Sequence, residues 1–506
     1  MTLHCWAMAI QISIENILLT NGPLPSSKVK AYLIRAGLSE DAARQRLSRA
    51  NPPIHRLTSL KLPRREGFLY LAKQYGSRDF WHALMDALAG TKSAHGIAML
   101  SLLAHGGTIR KRSFDIICGS PYKLKKHLSS FIVLKQLMAV KFLKEIEDPV
   151  LGTCISLDAN GYLPCSNIRT IRTKHHIEDI IVSALKEWVR KMGLSSYDQV
   201  KSRLDGSLPM FGQFAWDITG PSYVFPLVHK EKKVIPGFFV ADAIYGEVNE
   251  DNVVYFIYKC QINRYLKNMR PFMAVLVADS FTAGAYAIGS RAGVIFATPS
   301  TIFGEEMAGS LRSLSRTLEV PTPIAAHRAK NIKKLFSSLS RIDGAKPMLQ
   351  KALFKIIVGH LVNRVEGHDL KIDFTLADNE DHTVEVDVQR IHEKKQIAIY
   401  ECKGGQPSAI ISKPDVLEWL EKKIPLMRTI LLNEQMINNT ELVFEYWTTG
   451  KFSKDAIIEL ENAKRESKKI SIGWKDGTEV LDFAEQEGSS SIAKVLRDYY
   501  EINSGA

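Results

Sequence analysis

Two alternating runs near the C-terminus constrain this chain most. Val384-Glu385-Val386-Asp387-Val388 is followed, after a polar stretch from Arg390 to Gln396, by Ile397-Ala398-Ile399-Tyr400-Glu401-Cys402-Lys403-Gly404-Gly405. A period of two marks half-buried strands, and the polar stretch between them predicts a hairpin. Side chains two positions apart share a face, so Glu401 points with Lys403 and Glu385 with Asp387. The hairpin therefore predicts two carboxylates, Asp387 and Glu401, gathered around one point with the Lys403 ammonium.

Glu-x-Lys has little meaning alone. Glu231-Lys232-Lys233, Glu393-Lys394-Lys395, Glu421-Lys422-Lys423 and Glu466-Ser467-Lys468 repeat it in charged turns or helices, where it reads as solvated charge. The Glu401 copy closes an apolar strand, precedes Gly404-Gly405, and has an acid 14 positions earlier. Charges at the end of a buried strand need partners to offset their desolvation, and a divalent cation is the natural one. The bland alternative is a strand-end ion pair between Glu401 and Lys403, with Asp387 merely in a turn. The sharper reading is a site for metal-assisted phosphodiester hydrolysis.

With 506 residues, 45% of them apolar, the chain is long enough for several globular domains. Six cysteines without a C-x-x-C pair argue against a disulfide framework or zinc site and for a reducing cytosol. The N-terminus lacks the basic start of a signal peptide. The most apolar region, Pro271 to Thr298, is interrupted by Asp279, Ser280, Ser290 and Arg291, which reads as buried strand-helix-strand and not as a membrane span. A cytoplasmic protein with no membrane partner is expected.

Charge is unevenly spread. Residues 1–150 hold 22 Lys and Arg against 10 Asp and Glu, whereas the rest hold 45 against 44. A basic module joined to near-neutral ones points to a polyanion, most often nucleic acid; the alternative is a surface kept charged for solubility.

That basic third follows one plan twice. Gln11 to Leu19 reads as a helix stopped at Asn21-Gly22-Pro23; Ser26-Ser27 caps a second helix through Ile34; Ser39 caps a third, Glu40 to Ala50, carrying Arg44, Arg46 and Arg49. Two short β-like runs follow between Ile54 and Leu71. More faintly, Gly96 to His105, Ile109 to Cys118 and Pro121 to Ile132 read as helices, the last with Lys123, Lys125 and Lys126. A β-like pair at Leu134 to Leu143 and Val150 to Leu157 completes the repeat. Residues 1–160 resemble tandem winged-helix domains, which implies a third helix in the DNA major groove and a wing on the backbone. A helical protein–protein adaptor is the competing reading.

From about Lys346 onward the chain resembles the PD-(D/E)xK, or restriction-endonuclease-like, superfamily. The leading helix is Met348 to Glu366, the meander is Leu370 to Ala377, Thr383 to Gln389 and Gln396 to Cys402, and helix Pro414 to Ile424 and strand Leu442 to Trp447 follow. The resemblance implies that Asp387 and Glu401 bind metal and that Lys403 positions or activates the attacking water. Glu366 matches an acid found at the end of the leading helix in several branches. The proline that names the motif is Val386 here. Mg²⁺, a hard octahedral ion for which Mn²⁺ substitutes, would be held by the two carboxylates and the Cys402 backbone carbonyl. Glu385 is the rival ligand, and Gln406 an outer contact.

Residues 165–325 read as a second, damaged copy. Its leading helix is Ile177 to Met192, and its strands include Gln213 to Asp217, Gly237 to Ile244 and Val253 to Cys260. Asp242 would correspond to Asp387 and Lys259 to Lys403, with Ile257 where Glu401 should be and Asp217 and Gln261 as partial substitutes; an active copy with a relocated carboxylate is the competing reading. His175, His176, His360 and His368 read as surface or helix-end histidines. The chain lacks G-x-x-x-x-G-K-[ST], H-E-x-x-H and G-x-S-x-G, so P-loop ATP hydrolysis, zincin and serine-hydrolase chemistry are not expected.

The expected architecture is multidomain α+β and α/β. It comprises winged-helix domains at 1–90 and 91–160, a degenerate restriction-endonuclease-like domain at 161–328 and the PD-(D/E)xK domain at 329–506. The expected function is Mg²⁺-dependent DNA endonuclease in bacterial restriction, antiphage defence or DNA repair, acting as a homodimer or with a separate ATPase or other subunits. The competing readings are a non-catalytic DNA-binding regulator or assembly subunit with vestigial nuclease domains, and an RNA-directed nuclease.

Overall fold

A computed structural model describes residues 13–60, 62–63, 66–230, 234–319, 333, 337, 346–363, 368–377, 382–392, 395–433 and 440–503. It is a mixed α/β chain that divides into two compact units, Met1–Ser166 with Asp205–Phe296, and Asn167–Leu204 with Ala297–Ala506. Among the described residues no helix is long and apolar enough to cross a membrane.

The first unit opens with helix Ile14–Asn21, strand Leu24–Pro25, helices Ser26–Arg35 and Glu40–Ser48, and strands Ile54–Arg56 and Phe68–Leu71. Ser13 and Ser39 cap their helices by accepting the N–H groups of Asn16 and Ala42. The last strand lies between the other two in an antiparallel sheet. Ile17, Leu18, Val29, Leu33, Leu47 and Leu69 close a small core.

The same order recurs in helix Ala94–Ala104, strand Thr108–Arg110, helices Phe114–Ile117 and Ser130–Ala139, and strands Leu143–Asp148 and Gly152–Leu157, again with the last strand central. Three expectations need correction here. Ile109 to Cys118 starts as a strand and keeps only one helical turn. Pro121 to Ile132 is irregular as far as Ser129, and the helix begins only at Ser130. Leu134 to Leu143 is mostly that helix and not a strand. The causes are local: Gly119 and Lys126 adopt left-handed φ values of 66°, and Ser129 caps the helix that buries Val133 and Leu137 one turn apart.

Later in the same unit, strands run in the order Val294–Ala297, Phe272–Phe281, Gly237–Val248, Ile218–Ser222. The middle two are parallel, and the last pair antiparallel. Val253 to Cys260, expected as a strand, opens helix Val254–Tyr265. Its buried Tyr255, Phe256, Lys259, Cys260 and Asn263 form a helical stripe and not an alternation.

In the second unit, helix Ile168–Lys191 packs with helix Glu305–Glu319. His175 on the former is buried, not surface-exposed. Helix Lys346–Val362 precedes a five-stranded sheet: β1 (His368–Ala377), β2 (Thr383–His392), β3 (Gln396–Lys403), β4 (Glu441–Thr448) and β5 (Ser471–Lys475), in that spatial order. β1–β2–β3 is an antiparallel meander, and β3–β4–β5 are parallel. Val386, Ile397, Ile399, Trp419, Ile430 and Phe444 belong to the core of one face.

Candidate functional site

The β2–β3 ladder ends with Val388 opposite Tyr400. One position further, the Asp387 side chain replaces the ladder: its Oδ2 accepts the Cys402 N–H at 2.7 Å. Glu401 lies beside it on β3. Both carboxylates are buried, Asp387 6% and Glu401 4% exposed. Glu401 Oε1 receives two ammonium groups, Lys403 Nζ at 2.9 Å and Lys423 Nζ at 2.7 Å. The Lys403 side chain remains half exposed. Lys423 ends a π-helical turn, Trp419–Lys423, a kind of helical irregularity often found at functional sites.

A second cluster meets the first at Asp387. Lys355, from helix Lys346–Val362, puts Nζ 2.6 Å from Asp387 Oδ1, 2.7 Å from Asp373 Oδ1 and 3.0 Å from Glu385 Oε1. Asp373 has a left-handed φ of 53° and drops out of the β1–β2 ladder, between rungs Ile372–Val388 and Phe374–Val386. Ligand atoms of Asp373, Glu385 and Asp387 all lie within 4.8 Å of one another, a grouping able to hold a cation.

These charges set one another's protonation. Burial pushes the Asp387 carboxyl up to about 6, against Lys355 and with the nearby Glu401 and Glu385 charges adding to the rise. A single lysine serves three acids, so it offsets only part of the desolvation of Asp387, the most buried of them. Burial opposes the Lys355 ammonium, but Asp387, Asp373 and Glu385 hold its pKa well above the usual lysine range. Burial also acts against Glu401, yet Lys403 and Lys423 keep it below the ordinary glutamate value. Lys403 in turn is raised, its desolvation outweighed by Glu401 and Asp387. The Cys402 thiol is driven up by burial and by Asp387, and so stays protonated.

Backbone packing holds this arrangement. Thr448 Oγ1 donates to the Lys403 carbonyl at 3.0 Å, and Thr449 Oγ1 accepts from the Gly405 N–H at 2.8 Å. At Gly404 a Cβ would lie 2.4 Å from the Gln350 carbonyl oxygen, so only glycine lets helix Lys346–Val362 approach the end of β3 this closely.

Of the residues singled out from sequence, Asp387, Glu401, Cys402 and Lys403 gather at this strand end, and Glu385 is directed to Lys355. Gln406 is exposed in the following turn. Glu366 lies outside the described residues. Lys355, Asp373 and Lys423 were not anticipated. Lys355 had a signal, a charge set between the apolar Phe354 and Ile356 on a helix rich in apolar residues. Lys423 had none, because its Glu-x-Lys neighbourhood reads as solvated surface.

The first unit holds a related arrangement, with different correspondences from those expected. Asp217 Oδ2 accepts the Ala243 N–H at 2.7 Å, as Asp387 accepts Cys402. Asp242, one residue before Ala243, pairs with Lys259 Nζ at 2.6 Å from the following helix, as Glu401 pairs with Lys423. Asp217 thus parallels Asp387, Asp242 parallels Glu401, and Ile244 stands where Lys403 would be. Asp242 and Lys259 are both fully buried, and the ammonium lies 4.0 Å from the centre of the Trp216 ring. Burial raises the Asp242 carboxyl to about 6, against Lys259.

Among the basic residues, Arg44 pairs with Glu40 and Asp41 on its own helix. Arg46 is half-buried and Arg49 is exposed. Lys123, Lys125 and Lys126 are exposed in the loop before helix Ser130–Ala139, not on a third helix.

No family model and no curated protein matches the chain. Among solved structures it is similar to restriction endonuclease FokI bound to DNA, at 12% identity and a TM-score of 0.21, over 91% of this chain and 81% of that one. A superposition this loose carries no weight for fold or function, which rest on the geometry above.

Proposed function

We propose that this chain is a divalent-metal-dependent DNA endonuclease with a PD-(D/E)xK site at Asp387, Glu401 and Lys403. The observation that carries the reading is the pair of buried carboxylates on adjacent strands, tied by the Cys402 N–H and flanked by a half-exposed lysine.

The donor set suits Mg²⁺ or Mn²⁺. It consists of carboxylate oxygens, while the nearby thiol is buried and protonated. The Lys355 ammonium, resting among Asp373, Glu385 and Asp387, marks the position as one that positive charge stabilises. Asp387, Glu401 and the Cys402 carbonyl would hold the ion, with Glu385 the next candidate and Glu366 a further acid. When bound, Mg²⁺ supplies Lewis acidity toward a phosphate oxygen and makes water more acidic. Lys403, kept protonated by Glu401 and Asp387, donates hydrogen bonds that orient a water or a non-bridging phosphate oxygen. Lys355 orients Asp387.

The two repeated helical modules act as winged-helix DNA-docking domains through Arg44, Arg46, Arg49, Lys123, Lys125 and Lys126, and the related sheet of the first unit is a catalytically silent copy. A role in bacterial restriction, antiphage defence or DNA repair fits such an assembly, with a homodimer or an added ATPase subunit for paired cuts, in the cytoplasm. One observation favours a non-catalytic DNA-binding subunit instead: lysines already answer both carboxylates.

The test is Mg²⁺-dependent cleavage of duplex DNA by wild type, Glu401→Ala and Lys403→Ala. Each substitution should lower the rate by about 10²–10³ while DNA binding persists. Equal rates would reject the site, and no cleavage by wild type under any metal would favour the non-catalytic reading.

A further inference from the structure

The second helical module carries two adjoining clefts that share Lys111 and Arg112. One, of about 580 Å³, opens between these residues, the loop at Tyr122-Lys123 and the start of helix Ser130–Ala139. The other, of about 640 Å³, continues past Arg110 to Val150 and Thr153. Volumes of this size suit a nucleotide-scale ligand. Two aromatic rings stand open in the first cleft: Tyr122 and Phe131 are each 71% exposed. The Tyr122 backbone is held by its N–H donating to the Gln213 carbonyl at 2.7 Å, so the ring projects from an anchored loop.

The charge is arranged to match. Asp115, the acid lining this cleft, accepts the Ser130 hydroxyl. Lys111 is paired with Glu145. Among the described residues Arg112 and Lys123 have no carboxylate partner, and both are exposed. Exposed rings beside unpaired cations are poor docking chemistry for a buried apolar protein interface, but they are what a nucleic-acid strand with splayed bases requires. Rings stack on base faces, and guanidinium and ammonium groups take the phosphates. A fully paired duplex keeps its base faces stacked and offers the rings nothing.

We propose that this cleft binds an unpaired nucleotide of a single-stranded DNA segment, its base stacked on Tyr122 and Phe131 and its phosphate held by Arg112 and Lys123. The substrate of the proposed nuclease is then DNA with a single-stranded portion, such as an overhang, gap or bubble. This deepens the DNA-binding part of that reading and is independent of whether the C-terminal site cleaves.

Fluorescence anisotropy in EDTA, with full-length protein, labelled oligothymidine and a blunt duplex of equal length, tests it. Tyr122→Ala and Phe131→Ala should each weaken single-strand binding by about tenfold and leave duplex binding within about twofold. Tyr122→Phe should retain wild-type affinity. Arg112→Ala should flatten the salt dependence of single-strand binding. Unchanged single-strand affinity in both alanine variants overturns the proposal, as does an equal loss for duplex. Failure of wild type to bind the single strand also overturns it and leaves a protein partner as the occupant. Absent cleavage with the single-strand effect intact removes only the nuclease reading. Thermal melts of each variant exclude unfolding as the cause.

Discussion

Replacing Asp387 by asparagine should stabilise the protein, and the pH dependence of that gain is fixed by the site. Burial lifts the folded-state carboxyl to about 6, whereas an unfolded aspartate titrates near 3.9. Below about pH 4 the group is protonated in both states and contributes nothing. Between about pH 4 and 6 the unfolded chain releases a proton that the folded chain retains, so wild-type stability falls. Above about pH 6 the penalty is constant, at roughly 3 kcal/mol from about 1.4 kcal/mol per pH unit. The neutral amide would mimic the protonated carboxyl and keep the bond from the Cys402 N–H. Paired urea titrations of wild type and Asp387→Asn, followed by tryptophan fluorescence from pH 4 to pH 8, measure the difference, with the other unit's transition as internal reference. The variant should match wild type near pH 4 and exceed it by roughly 3 kcal/mol above pH 6. Millimolar Mg²⁺ should restore wild type and leave the variant unmoved. A variant less stable than wild type at pH 8, or parallel pH profiles, would refute burial as the determinant of this carboxyl.

Lys355→Met leaves Asp373, Glu385 and Asp387 without their shared ammonium and should cost about 3–5 kcal/mol near neutrality. The loss should shrink in acid, as those carboxyls protonate, and Mn²⁺ should recover part of it; urea midpoints across pH check this. Lys259→Met strands the buried Asp242 and should cost a similar amount, about 3–5 kcal/mol, in the transition of the first unit. At a temperature where that variant remains folded, its Mg²⁺-dependent cleavage rate should equal wild type.

Much of the C-terminal site was legible because period-two alternation fixes which side chains share a face. Val384 to Val388 and Ile397 to Lys403 form the expected hairpin, and Asp387, Glu401 and Lys403 arrive at its end. What alternation does not encode is the arrival of residues from other elements. Lys355 comes from a helix and Lys423 from a π-helical turn, and only tertiary packing brings them to the carboxylates. In the first unit, the apolar run Val253 to Cys260 fits strand and helix alike over so short a length. Lys259 reaches Asp242 from a helix and not from a neighbouring strand. Lys123, Lys125 and Lys126 were displaced for a different reason: the left-handed residues Gly119 and Lys126 delay the helix until Ser129 can cap it.

The contact at Gly404 has a mechanical consequence. With no side chain between the strand terminus and the Gln350 carbonyl, the helix bearing Lys355 and the strand bearing Glu401 and Lys403 are seated directly on each other. A side chain at position 404 would force the two apart and draw Lys355 away from Asp387.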